Sequence, residues 1–198
     1  MKILLDSGHG YDTAGKRSPD GKLLEWSYTR FLTQEIFSGL RRCGLDPVLL
    51  VPESRDVPLR ERVRRANRIW KETGGQALLV SVHLNAAGDG SDWMRASGWS
   101  CYTSVGKTRA DDLAESLCDA ASTILAGRRM RFHLTDGDRD QEANFYLLRK
   151  TACPAVLTEN LFMDNRDDYA FLLSDEGISA IVALHISGIV NYIQSINP

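Results

Sequence analysis

The chain has 198 residues, 43% of them apolar and 25% charged, with a formal net charge of -2. That length and balance fit one folded domain around a single core, and the near-neutral charge gives no long-range pull toward nucleic acid or another polyanion. No apolar run reaches the length needed to span a bilayer, and the opening MKILLDSGHG is too short in apolar residues for a secretory signal, so synthesis in the cytosol without membrane insertion is expected.

Residues 2–6 are an apolar run stopped by Ser-Gly, and residues 25–43 then carry Tyr28, Phe31, Leu32, Ile36 and Leu40 at helical spacing. Residues 47–51 read as a second buried strand. Pro58 opens a helix with Leu59, Val63, Ala66, Ile69 and Trp70 on its apolar face, ended by Gly74 and Gly75. Its other face carries Arg60, Glu61, Arg64, Arg65, Arg68 and Lys71, a mixed-sign stripe that reads as solvated. ALLVSVHLNA is the third strand, and GWSCYTS alternates well enough for a fourth, at an edge.

Thr108 is placed to cap a helix that buries Leu113, Leu117, Ala121, Ile124 and Leu125 and stops at Gly127. After a loop rich in Arg and Asp, FYLLR and AVLTEN read as two more strands, and Asp175–Ile196 as a terminal helix buried through Ile178, Ile181, Val182, Ile189 and Tyr192. Cys43, Cys101, Cys118 and Cys153 form no C-x-x-C pair and are expected to be reduced packing residues. The alternation predicts an α/β fold: a mainly parallel twisted sheet of about six strands with helices on both faces, in a single domain over residues 1–198.

In such sheets ligands sit outside the carboxyl ends of the strands. His9 follows the first strand, His83 ends the third and Glu159 ends AVLTE, so a parallel arrangement gathers them at one rim. A right-handed crossover brings Glu25, at the start of the first helix, to the same rim. Two histidines and a carboxylate form a zinc set that leaves one tetrahedral position for a water whose pKa the metal lowers. Glu25 is assigned to the metal and Glu159 to the proton, as general base. His133 is expected to lie exposed in a polar loop, and His185 to be a half-buried packing residue.

In order, LLDSGHG, the glutamate of GKLLEW, SVHLNA, FYLLRKTACPAVLTEN and LFMDN resemble the landmarks of zinc-dependent N-acetylmuramoyl-L-alanine amidases of the type 3 class, over essentially the whole chain. The resemblance implies hydrolysis of the amide joining the lactoyl group of N-acetylmuramic acid to L-alanine in peptidoglycan. One zinc ion per chain is implied, with His9, Glu25 and His83 as ligands and Glu159 as catalytic glutamate. Asn85 either contacts substrate or caps its loop, and Asn160 and Asp164 shape substrate contacts. Ser7 stands where the family usually has proline, and TENLFMDN is closer to phage lysins than to cell-division amidases. A monomer that reaches the wall through a phage-type holin is expected.

Other readings stay open. A zinc peptidase acting within the stem peptide needs the same site chemistry, and a non-catalytic peptidoglycan-binding module would keep the fold but has no use for Glu159. A nucleophilic Ser7 with Asp6 and His9 is disfavoured, because residues packed into one turn do not form a serine-histidine-acid relay. Some cell-division relatives plug the zinc with an inserted helix. Residues 84–158 leave no amphipathic segment for one, and only loop 86–96 is placed to fold over the metal.

Overall fold

Apolar side chains at alternate strand positions build a sheet buried on both faces. The computed structural model describes residues 1–134 and 137–196. The elements run β1 (Lys2–Ser7), α1 (Glu25–Arg42), β2 (Asp46–Leu49), α2 (Leu59–Glu72), β3 (Ala77–Asn85), β4 (Ser100–Thr103), α3 (Asp111–Ile124), β5 (Gln141–Glu142), α4 (Tyr146–Lys150), β6 (Ala155–Phe162), α5 (Arg166–Leu172) and α6 (Asp175–Ile196). The strand order is β2-β1-β3-β6-β4-β5. The first four of these strands are mutually parallel, β4 runs antiparallel to β6, and β5 pairs parallel with β4. This is the expected single-domain α/β architecture.

Odd positions of β1 and even positions of β3 send Ile3, Leu5, Leu78, Val80 and Val82 to one face, where α1, α3 and α6 supply Leu32, Ile36, Leu113, Leu117, Ile181 and Leu184. The opposite parity sends Leu4, Leu79, Ala155 and Leu157 against Val63 and Ala66 of α2 and Leu147 and Leu148 of α4. On this second face the strands change character toward their carboxyl ends. Leu4 is followed by Asp6, Leu79 by Ser81 and His83, and Leu157 by Glu159. Since alternate residues share a face, the same columns that anchor the core deliver polar groups to the rim.

Several expectations are corrected. FYLLR is not a strand: Tyr146–Lys150 is a helical turn. Leu147 and Leu148 are neighbours in sequence and both buried, which a half-exposed strand does not allow. β4 is not at the edge, because β5 covers it. Phe31 and Leu59 are exposed, at 46% and 49%, and Cys43 is exposed at the end of α1, whereas Cys101, Cys118 and Cys153 are buried thiols as expected. The short helix α5 is additional, capped by the Asn165 side chain, which accepts from the amides of Asp167 and Asp168. Helix α6 is long and apolar enough to cross a membrane by length and composition, contrary to the expectation that no run is. Its Ile181, Leu184, Gly188 and Ile189 are buried in the main core.

Candidate metal centre and active site

His9 sits in the turn after β1 with φ 57, a left-handed conformation uncommon for a residue with a side chain. The glycines on either side explain the sequence SGHG. A Cβ on Gly8 would lie 2.5 Å from Nδ1 of His83, and one on Gly10 would lie 1.9 Å from the amide nitrogen of Asp56. Thr29 Oγ1 and Arg30 of α1 hold the Gly8 carbonyl, at 3.2 and 3.3 Å. His83 lies near the end of β3 and is the register partner of Glu159 on β6, so the two side chains emerge side by side on the same sheet face. Glu25 is the first residue of α1, whose start is tied down by its amide bonding the Lys16 carbonyl at 3.0 Å.

These elements bring His9, Glu25 and His83 together, with one ligand atom from each lying within 4.8 Å of the others. The Glu25 carboxylate is buried. Its Oε1 lies 3.1 Å from Nδ1 of His83 and accepts from the amide of Leu84 at 3.1 Å. Its Oε2 is buried without a hydrogen-bond partner and lies 3.6 Å from Nε2 of His9. An orphaned carboxylate oxygen between two imidazoles is costly unless a cation takes it up. The His9 and His83 rings stand edge to face with centroids 5.2 Å apart.

The electrostatics differ from group to group. Burial, opposed by the Glu25 charge, depresses the His9 pKa to about 4, so its imidazole is neutral and keeps a lone pair at neutral pH. Burial works against charge on His83, but the hydrogen bond and charge of Glu25 outweigh it and raise its pKa. Burial likewise penalises the Glu25 carboxylate, and the two histidines and the Leu84 amide overcome it, holding its pKa down. Glu159 is the opposite case. Burial, with the Glu25 charge adding to it against His83, pushes its pKa up to about 7, and its Oε2 has no partner. A carboxyl group that titrates near neutrality beside a metal-type cluster is suited to taking and returning a proton.

A cavity of about 360 Å³ opens onto this cluster. It is lined by the polar residues His9, His83, Glu159, Asp6, Asp56 and Arg62 and by the apolar Val57, Leu59, Phe145, Tyr146, Leu147 and Leu157. Asp6 was weighed in the sequence only as a partner of Ser7, and Ser81, Asp56 and Arg62 were not singled out. Asp6 and Ser81 are register partners joined by a 2.6 Å hydrogen bond, and Asp6 also accepts from Arg62 at 2.9 Å. Their signal was present, since each is a polar residue interrupting an apolar column of a buried strand. Arg62 lacked one, being a single arginine in a helix rich in them.

The remaining candidates lie elsewhere. Asn85 uses its Oδ1 to accept the Ala86 amide and so shapes its own loop. Asn160 is fully buried. It accepts from Trp99 Nε1 at 2.9 Å and donates to the His83 carbonyl at 3.0 Å, so it braces β3 from below instead of meeting substrate. Asp164 is buried and accepts the amides of Ala87 and Gly88, holding loop 86–96. His133 is exposed. His185 is fully buried rather than half-buried, with Nδ1 donating to the Ile181 carbonyl and Nε2 2.9 Å from the Thr158 hydroxyl. Ser7 bonds Thr33 at 2.8 Å and Asp6 bonds Arg62 and Ser81, so no serine relay to His9 exists.

Residues 3–191 match the family model described as N-acetylmuramoyl-L-alanine amidase. The chain is 30% identical over 194 residues to an endolysin of Bacillus phage SPP1, covering 97% of this chain and 66% of that protein. It is 31% identical over 200 residues to the N-acetylmuramoyl-L-alanine amidase CwlM of Bacillus licheniformis, covering 96% of this chain and 67% of that protein. The chain thus spans about two thirds of the length of these relatives. Among solved structures, the N-acetylmuramoyl-L-alanine amidase from Clostridium difficile 630 superposes with a TM-score of 0.82 at 20% identity, covering 98% of this chain and 97% of that one, which shows a shared fold.

Proposed function

Because the chain belongs to the N-acetylmuramoyl-L-alanine amidase family, we propose that it hydrolyses the amide between N-acetylmuramic acid and L-alanine in peptidoglycan, with one zinc ion per chain held by His9, Glu25 and His83 and with Glu159 as the proton-transfer group. The observation that carries this reading is the buried, partnerless Oε2 of Glu25 facing Nε2 of His9. The donor set fits zinc: two imidazole nitrogens, one of them held neutral by burial, and one ionised carboxylate, a set of three that leaves a coordination position open. When bound there, zinc would supply Lewis acidity at the scissile carbonyl and lower the pKa of a water.

The chain's own residues account for the rest. Glu159, next to His83 across the β3–β6 pair, takes the proton of the attacking water and returns it to the leaving nitrogen. Glu25 accepts from the Leu84 amide through Oε1, which fixes its carboxylate plane and leaves Oε2 directed toward His9. Val57, Leu59, Phe145 and Leu147 give the cavity an apolar lining beside these polar groups. The similarity to a phage endolysin supports an enzyme that acts on the cell wall, and release to the wall by a phage-type holin is part of the same proposal.

The test is metal removal. Protein stripped with a chelator should lose wall hydrolysis and regain it on stoichiometric zinc, and His83→Ala should lose zinc and activity together. Full activity in the stripped protein, or stoichiometric zinc retained by His83→Ala, would refute the assignment.

A further inference from the structure

Arg62 lines the cavity from α2, its side chain 3% exposed and engaged through four hydrogen bonds. Nε donates to the Val57 carbonyl at 2.8 Å, Nη1 to Asp6 Oδ1 at 2.9 Å and to the Ser7 carbonyl at 2.6 Å, and Nη2 to Asp56 Oδ1 at 2.8 Å. Two of these acceptors belong to the chain that leads into the His9 turn, and two to loop 52–58, which lines the cavity through Asp56, Val57 and Pro58. Asp56 extends the junction. Its amide donates to Asp12 at 2.6 Å, its Oδ2 accepts from Thr13 at 3.0 Å, and its backbone lies where a Cβ on Gly10 would fall. The Tyr11 amide completes the seam on the Ser54 carbonyl at 3.0 Å.

We propose that Arg62 is a positioning residue that locks the His9 turn to the 52–58 wall, so that His9 is presented to the metal in one geometry and the cavity keeps a fixed width. A guanidinium suits this task, because its planar fork satisfies backbone carbonyls and carboxylates on both sides at once, which an ammonium cannot do. Four of its five N–H donors are taken up by the protein. The proposal rests on the metal reading above for its consequence in catalysis, and its structural half stands without it.

The test compares wild type with Arg62→Lys. Zinc affinity is measured by chelator competition, amide hydrogen exchange at Gly10, Tyr11 and Asp56 in the metal-free protein, and kcat and KM on muropeptides. Arg62→Lys should bind zinc on the order of tenfold to a hundredfold more weakly, as changes behind a ligand do. It should also exchange those amides at least tenfold faster and lose kcat with little change in KM. A raised KM with zinc affinity and exchange unchanged would overturn the proposal in favour of substrate binding, and a folded variant unchanged in all three would overturn it outright. Should Arg62→Lys fail to fold, Asp56→Ala decides, because that side chain is 41% exposed and its loss opens the same seam. Several-fold effects on exchange and zinc affinity support the proposal, and none overturns it. Wild-type protein that takes up no zinc would refute the metal reading, while the exchange measurement still decides on the clamp.

Discussion

On the proposed reading, Glu159 is the proton-transfer group. With its pKa pushed up to about 7, it is largely protonated below neutrality and cannot take a proton there. Activity should therefore rise with pH along a limb governed by this group, and a bound divalent cation, favouring the carboxylate, moves that limb to the acid side of 7. Glu159→Gln should keep zinc, abolish the limb and lower kcat by on the order of 10²-fold or more. A pH–rate profile with a zinc determination checks this. Loss of zinc with activity would instead show that Glu159 is a ligand. His9, Glu25, His83 and Glu159 were readable as neighbours because they fall near the carboxyl ends of parallel strands or at the start of α1, although β6 runs on past Glu159 to Phe162 instead of ending at it. Asn160 was misplaced for a reason visible in the structure. Its position alternates with Glu159, so the pleat that turns Glu159 to the cavity turns Asn160 into the core.

At the level of elements, β6 and α6 are joined by a buried polar link. His185 donates to the Ile181 carbonyl and meets the Thr158 hydroxyl, and burial pushes its pKa down to about 4. The folded state holds this histidine neutral, while the unfolded chain protonates it below its ordinary value near 6.5. Its contribution to stability is thus present above pH 6.5 and lost as pH falls toward 4, by about 3 kcal/mol when complete. In urea unfolding at pH 7 and 4.5, His185→Gln should lose less stability between the two pH values than wild type. Equal losses would show that His185 is not held neutral. Long amphipathic helices and the buried strands of the sheet were readable from periodicity. FYLLR was not, since a five-residue apolar run carries neither period clearly, and its packing beneath α2 decides for the helix.

On the scale of the whole molecule, the candidate metal cluster faces a cavity that His9 and His83 line. Loop 86–96 lines none of it. Asp164 holds that loop through Ala87 and Gly88, the Met94 amide bonds the Asp164 carbonyl, and Trp93 packs on Tyr169 with ring centroids 5.0 Å apart. Purified protein should act on sacculi without a partner, and shortening loop 86–96 should lower thermal stability without raising activity. A large gain in activity on shortening would reveal a plug. That the chain would form a parallel-sheet α/β domain was legible from strands alternating with helices, whereas the Arg62 junction was not, because it joins a turn, a loop and a helix that only the folded chain brings together.

The central claim is the bond that is cut. Zinc-loaded protein should be incubated with purified sacculi and the soluble products identified by mass spectrometry. Stem peptides released with a free L-alanine amino terminus, together with sugar strands bearing free lactoyl carboxylates, are the predicted result. Muropeptides that keep L-alanine on the sugar and are shortened within the stem, or sacculi bound but left intact, would contradict it.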